Sequence, residues 1–232
     1  MQSPLASVLD RAGAVLTTRG DRSVAAHYGS AAGELGVCVR AVGLADRADL
    51  ATLQVAGTAA GVAEVLGRVA GLRLEPSGLA TASAAWWCAA SPERVLVICE
   101  RSRCARLHSM LREQARRLPG VHVEDASAAW SGIALVGRHA VAVLAALGAL
   151  GASGEPRDAA PFAAATIDGA DVRILLQTDR RALVLAEPDA ACRVWAALAD
   201  AGRAYGLGYV GTEAVERFAL LDRVRIPTAP VR

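Results

Sequence analysis

Residues 26–57, AHYGSAAGELGVCVRAVGLADRADLATLQVAG, decide the reading of the whole chain, because part of the stretch returns later. Asp46 opens a small-residue turn, an apolar strand follows, and Gly57 releases the chain into an apolar helix. The same unit recurs at 123–137, VEDASAAWSGIALVG, with Asp125 and Gly137 in the matching places. A unit repeated at this spacing predicts an internal duplication.

Working outward, Leu53 and Val55 alternate with polar neighbours as a strand does, and Val62, Val65, Leu66 and Val69 then recur at helical spacing. Strands are expected at 81–88 and 95–99, an amphipathic helix at 103–118, and a strand at 121–123 leading into the second aspartate turn. The second half repeats the itinerary. Residues 133–136 read as a strand, Val143, Leu144, Leu147 and Leu150 as a helical stripe, and 151–158 as a loop. Asp168-Gly169 signals a hairpin between 163–167 and 172–176, after which come a strand at 183–186 and a helix ending near Gly202. Upstream, 5–15 read as a short helix, Arg19-Gly20-Asp21 as a loop, and 37–44, with Val37, Val39 and Ala41 alternating, as a strand.

Each half thus runs strand, helix, strands, helix, strand. The expected class is α+β, with two duplicated split βαβ (ferredoxin-like) halves packed about a shared core. The physical reason is that such a unit covers one sheet face with helices and leaves the other needing a partner. The expected division is an N-terminal arm and first strand at 1–45, a first repeat at 46–124 and a second at 125–232, with a cleft near their junction.

Composition narrows the chemistry. All 25 basic residues are arginine, and without lysine no Schiff base forms. A net charge of +2 with interspersed signs and 4% aromatics gives neither the field nor the stacking platform of a nucleic-acid binder. No stretch reaches the roughly 18 to 20 apolar residues of a membrane span, and MQSPLASVLDR has no signal-peptide pattern, so a cytoplasmic protein is expected. The five cysteines lack a disulfide framework. Cys104, near arginines and one helical turn before His108, is either reactive or a core thiol.

Further residues resemble a family. YG, then Glu34, then VGLADRADLATLQVAG is similar to the glycine cleavage T-protein and related folate-binding proteins. There a Tyr and a Glu precede an aspartate turn and a strand ending in glycine. VEDASAAWSGIALVGRHAVAVLAAL resembles the family's later glycine-led helix, and AYGLGYVGTEAVERFAL its closing segment, with Arg217 at the arginine position. WWCAASPERVLVI is similar to the small subunit of heterotetrameric sarcosine oxidase. The resemblance implies a fold of that kind, tetrahydrofolate as cofactor, and one-carbon or amine-substrate transfer. Departures imply a degenerate site. SGLATASAAWWC has no carboxylate where T-proteins carry an aspartate, QTDRRAL keeps neither pterin-binding pattern, and the sequence stops where T-proteins continue into a barrel. The alternative is a repurposed or non-catalytic scaffold, either a partner subunit of a larger oxidase or methyltransferase or a protein acting on another ligand.

The candidate ligand-binding residues are Tyr28, Glu34, Asp46, Asp125 and Arg217; no metal site is expected. Asp46 and Asp125 either pair as acid and base or bond nearby backbone in turns. Tyr28 and Glu34 either line a pocket or pack the arm, and Arg217 either meets an anion or faces solvent. The arginines of 101–117 either hold a polyanionic tail or form a solvated face. Trp86 and Trp87 fall on opposite faces of a strand, one toward the core and one toward the second half, a partner or a ligand.

Overall fold

The computed structural model describes residues 3–150 and 160–225 of the chain. Helix α1 (Ala6–Arg11) leads into a ribbon of β1 (Val15–Arg19) and β2 (Arg22–His27). The helix read over 5–15 therefore stops at Arg11, and the loop read at Arg19-Gly20-Asp21 is the tight turn of a hairpin. Val15, Thr17, Thr18 and Val24 are β-branched and favour the extended backbone.

The strand read at 37–44 is also corrected. Helix α2 (Ala31–Arg40) takes its first part, and strand β3 (Val42–Asp46) starts only afterwards. Ser30 decides this, because its hydroxyl accepts the Gly33 N–H at 3.3 Å and Glu34 sits in the positive first turn. The cap outweighs the weak strand preference of two valines.

The first sheet comes from β4 (Leu50–Ala56), α3 (Ala59–Ala70), β5 (Leu79–Ala82), β6 (Ala85–Ser91), β7 (Arg94–Glu100), α4 (Arg101–Ala115) and β8 (His122–Asp125). Its strands lie in the order β5-β6-β7-β4-β8, antiparallel throughout. The second comes from β9 (Ser131–Val136), α5 (Ala140–Ala146), β10 (Phe162–Ile167), β11 (Ala170–Thr178), β12 (Arg181–Ala186), α6 (Ala191–Gly202) and β13 (Leu207–Tyr209), and helix α7 (Thr212–Arg225) follows. Its order is β10-β11-β12-β9-β3-β13. The two orders correspond strand for strand, except that β3 is inserted between β9 and β13, antiparallel to the first and parallel to the second. The helical stripe read through Leu150 ends at Ala146, and the loop read at 151–158 lies outside the described residues.

The α+β class is the class observed, in four layers. Helices α3 and α4 cover the outer face of the first sheet, where Leu53, Val55, Trp87 and Leu111 form one core. Helices α1, α5 and α6 cover the outer face of the second, around Leu44, Leu144 and Trp195. Between the sheets lies a third core, shared by Leu96 and Ile98 of the first sheet with Leu175, Leu183 and Leu185 of the second. Trp87 is fully buried on the outer face, and Trp86 packs against the shared core. The glycines ending β4 and β9 do the same work. A Cβ at Gly57 would lie 2.5 Å from the Gly120 carbonyl oxygen, and one at Gly137 2.5 Å from that of Cys38.

Candidate functional site

Strand β3 ends in Asp46, and a short turn returns the chain into β4 under a cavity of about 150 Å³ at the junction of the halves. The turn is held by Arg47 N–H donating to Gly132 O at 2.9 Å and Leu50 N–H donating to Arg47 O at 3.0 Å. The wall is assembled from separate segments, including Ser3, Arg22, Asp46, Arg101, Trp130 and Ser131.

Asp46 is 2% exposed. Its carboxyl accepts from the Ser3 hydroxyl and the Ala48 amide, while Oδ2 has no partner among the described residues. Burial pushes its pKa up to about 7, and the neighbouring charge of Asp49 adds to the rise. Ser131 Oγ at the same wall is likewise buried without a partner among the described residues. The cations beside them are organised. Arg47 holds Asp49 through two bonds, Nε to Oδ1 at 2.8 Å and a terminal nitrogen to Oδ2 at 2.9 Å. Arg101 donates to Leu50 O at 3.2 Å and lies 3.4 Å from Asp21. The cavity therefore offers a protonatable carboxyl, a hydroxyl and fixed guanidinium groups to a ligand of roughly one ring.

Asp125 stands behind this wall. Its Oδ1 accepts the Ser127 N–H at 2.9 Å, and Ser127 Oγ in turn accepts the Thr52 N–H at 3.0 Å. Both Ser127 and Thr52 line the cavity, so Asp125 shapes it through an Asx turn. Burial raises the Asp125 pKa, but the Ser127 bonds and the charges of Arg101 and His108 outweigh it and hold the group below the usual carboxylate range. Asp46 and Asp125 share no hydrogen bond: Asp46 accepts from Ser3 and Ala48, and Asp125 from Ser127 and Cys104.

Glu34 takes its two oxygens to backbone amides, Tyr28 N–H at 2.6 Å and Gly211 N–H at 2.8 Å, and so ties β2 and α2 to the start of α7. The Tyr28 hydroxyl is buried without a described partner, with its ring 5.8 Å from that of Tyr209, and Tyr209 is 5.4 Å from Trp195. Burial and then the charge of Asp46 raise the phenol well above its usual range. Tyr28 thus senses Asp46 without lining the cavity. Arg217 lies on the solvent face of α7, 3.8 Å from Glu213. The reactive reading of Cys104 is overturned. Burial and the Asp125 carboxylate, 3.9 Å away, raise the thiol pKa and keep it protonated. On α4 and just past its end, Arg103, Arg116 and Arg117 pair with nearby glutamates on an exposed face. Among the described residues no group of three His, Cys, Asp or Glu has the geometry of a metal site. No helix among them is long and apolar enough to cross a membrane.

Sequence reasoning missed Ser3, Arg22, Trp130 and Ser131, and it had Arg101 only as one of the arginines of 101–117, not as a cavity residue.

No protein-family model matches the chain, and no curated protein does. Among solved structures, it is similar to the glycine cleavage system aminomethyltransferase T of Bartonella henselae, with a TM-score of 0.78 over 95% of this chain and 16% identity. It spans 62% of that protein's length. It is also similar to a chain of the heterotetrameric sarcosine oxidase of Corynebacterium sp. U-96, with a TM-score of 0.61, 20% identity, and 78% of this chain and 95% of that one covered. At such identities the likeness is one of architecture, and the chain has the aminomethyltransferase T fold.

Proposed function

We propose that the chain is a T-protein-like small-molecule-binding protein whose ligand sits in the junction cavity beside Asp46. The observation that carries this reading is the pair of buried, unpartnered polar atoms, Asp46 Oδ2 and Ser131 Oγ, at the wall of one cavity. More than about nine in ten buried polar groups find a partner in a folded protein, so two orphans at one cavity point to a missing one.

Tetrahydrofolate is the ligand we test first. At about 150 Å³ the cavity takes one ring of its two-ring pterin head and not the length of the molecule. In this reading Asp46 accepts from the amide edge of the ring and Ser131 adds a hydrogen bond, while Asp125 positions the loop. A bound reduced folate supplies a nitrogen that carries or accepts one-carbon units. The hairpin of β5 and β6 brings no carboxylate, which supports a degenerate folate site whose one-carbon or amine transfer is weakened or lost. A second reading rests on the 95% coverage of a sarcosine oxidase chain: a non-catalytic subunit of a larger oxidase or methyltransferase.

The test is titration with tetrahydrofolate, followed by tryptophan fluorescence and calorimetry. Saturable binding that weakens about tenfold in Asp46→Asn supports the first reading, a loss of one good hydrogen bond to a buried group. No binding at millimolar folate removes folate as the ligand. A monomer with folate-dependent turnover removes the subunit reading.

A further inference from the structure

The two sheets do not stay in contact across their whole inner faces. On the far side of Trp130 from the junction cavity they part around a cleft of about 380 Å³, within the size range of small-molecule sites. Trp130 is the wall common to the cavity and the cleft. The cleft is walled on one side by Gln54, Ala56, Arg94 and Leu96 of the first sheet and on the other by Arg173 of the second.

Arg173 is out of place on an apolar face. In register it stands opposite Ala164 and Leu185, and Leu175, two residues on, enters the shared core. A polar side chain on the facing surface of two packed sheets costs stability unless solvent or a ligand meets it. Arg173 is partly exposed, and neither its side chain nor that of Arg94 forms an ion pair or hydrogen bond among the described residues. Among those residues the one carboxylate on the cleft is Glu93, while Asp171 and Glu187 border a neighbouring groove on the other side of Arg173. Gln54 is already engaged, donating to Glu124 at 2.6 Å. What remains on the cleft wall is the Trp130 indole and two guanidinium groups contributed by opposite halves.

We propose that this cleft is a binding site for a planar carboxylate, its ring against Trp130 and its carboxylate between Arg94 and Arg173. Guanidinium groups match a carboxylate with paired N–H donors, and an indole favours a flat partner over a saturated one. A ligand seated there also bridges the two halves. The site is separate from the junction cavity and does not depend on what the cavity holds.

Benzoate is the probe, with benzamide and cyclohexanecarboxylate as controls for charge and planarity. Binding is read by calorimetry and by fluorescence of the full chain. Saturable benzoate binding that weakens about tenfold in Arg94→Ala and in Arg173→Ala, and weakens as salt rises, supports the site. Arg94 is exposed, so its variant keeps the fold whatever Arg173→Ala does. Asp46→Asn should leave benzoate affinity unchanged while altering the junction cavity, which separates this site from the other. Benzamide or cyclohexanecarboxylate binding as tightly as benzoate overturns the proposal, as does benzoate affinity insensitive to Arg94→Ala, or no saturation.

Discussion

At the residue scale, the molecule turns on two carboxylates that do opposite things. Asp46 binds its proton more tightly folded, at about 7, than unfolded, where 3.8 is its ordinary value. Between those values the folded state holds the extra proton, so stability falls as pH rises through the window. The contribution is full below the unfolded value and lost as pH passes 7, where a buried charge remains. In Asp46→Asn that slope should disappear, a change on the order of a few kcal/mol across the window, since a tenfold difference in proton affinity is worth about 1.4 kcal/mol. Urea unfolding of both proteins from pH 4.5 to 8 measures it, and parallel curves would rule the assignment out. Glu34 is tied down by two amide donors. Glu34→Gln leaves one acceptor and sets an amide NH₂ against a backbone N–H, so a loss of about 2 to 4 kcal/mol is expected in equilibrium unfolding.

At the element scale, the turn joining β5 and β6 holds Ser83 at φ 53° and Ala84 at φ 56°, a left-handed pair without glycine. Such a conformation costs about 1 to 2 kcal/mol for a residue with a Cβ. Ala84→Gly should raise stability by about 1 kcal/mol, seen as a higher denaturant midpoint at unchanged slope. The elements were legible where a local pattern agreed with the final environment. The strand read at 95–99 and the hairpin at Asp168-Gly169 are present because alternation and turn chemistry act within a few residues. The strand read at 37–44 failed because Ser30, seven residues upstream of Val37, sets the helix. In the site, Asp46 was legible as a turn aspartate. Arg22, Arg101 and Trp130 were not, because they meet Asp46 only after strands distant in sequence have paired.

At the scale of the whole molecule, the core between the sheets makes the halves one cooperative unit. Leu183 is 1% exposed in that core, and Leu183→Ala should cost about 3 kcal/mol. Single-tryptophan variants keeping Trp87, in the outer core of the first half, or Trp195, in that of the second, should report one shared midpoint, displaced equally by Leu183→Ala. Two midpoints would show that the halves melt independently. The insertion of β3 between β9 and β13 also sets a timetable for synthesis. The first sheet is built from a continuous run, 50–125, and can close while the rest of the chain is still being made. Strand β3 leaves the ribosome before that run, yet both of its neighbours come after it. It must wait as an unpaired apolar strand through the translation of the entire first half. A nascent chain halted once residue 125 has cleared the ribosomal exit tunnel, before β13 is made, should accordingly protect 50–125 from protease while remaining open to cleavage at 42–46.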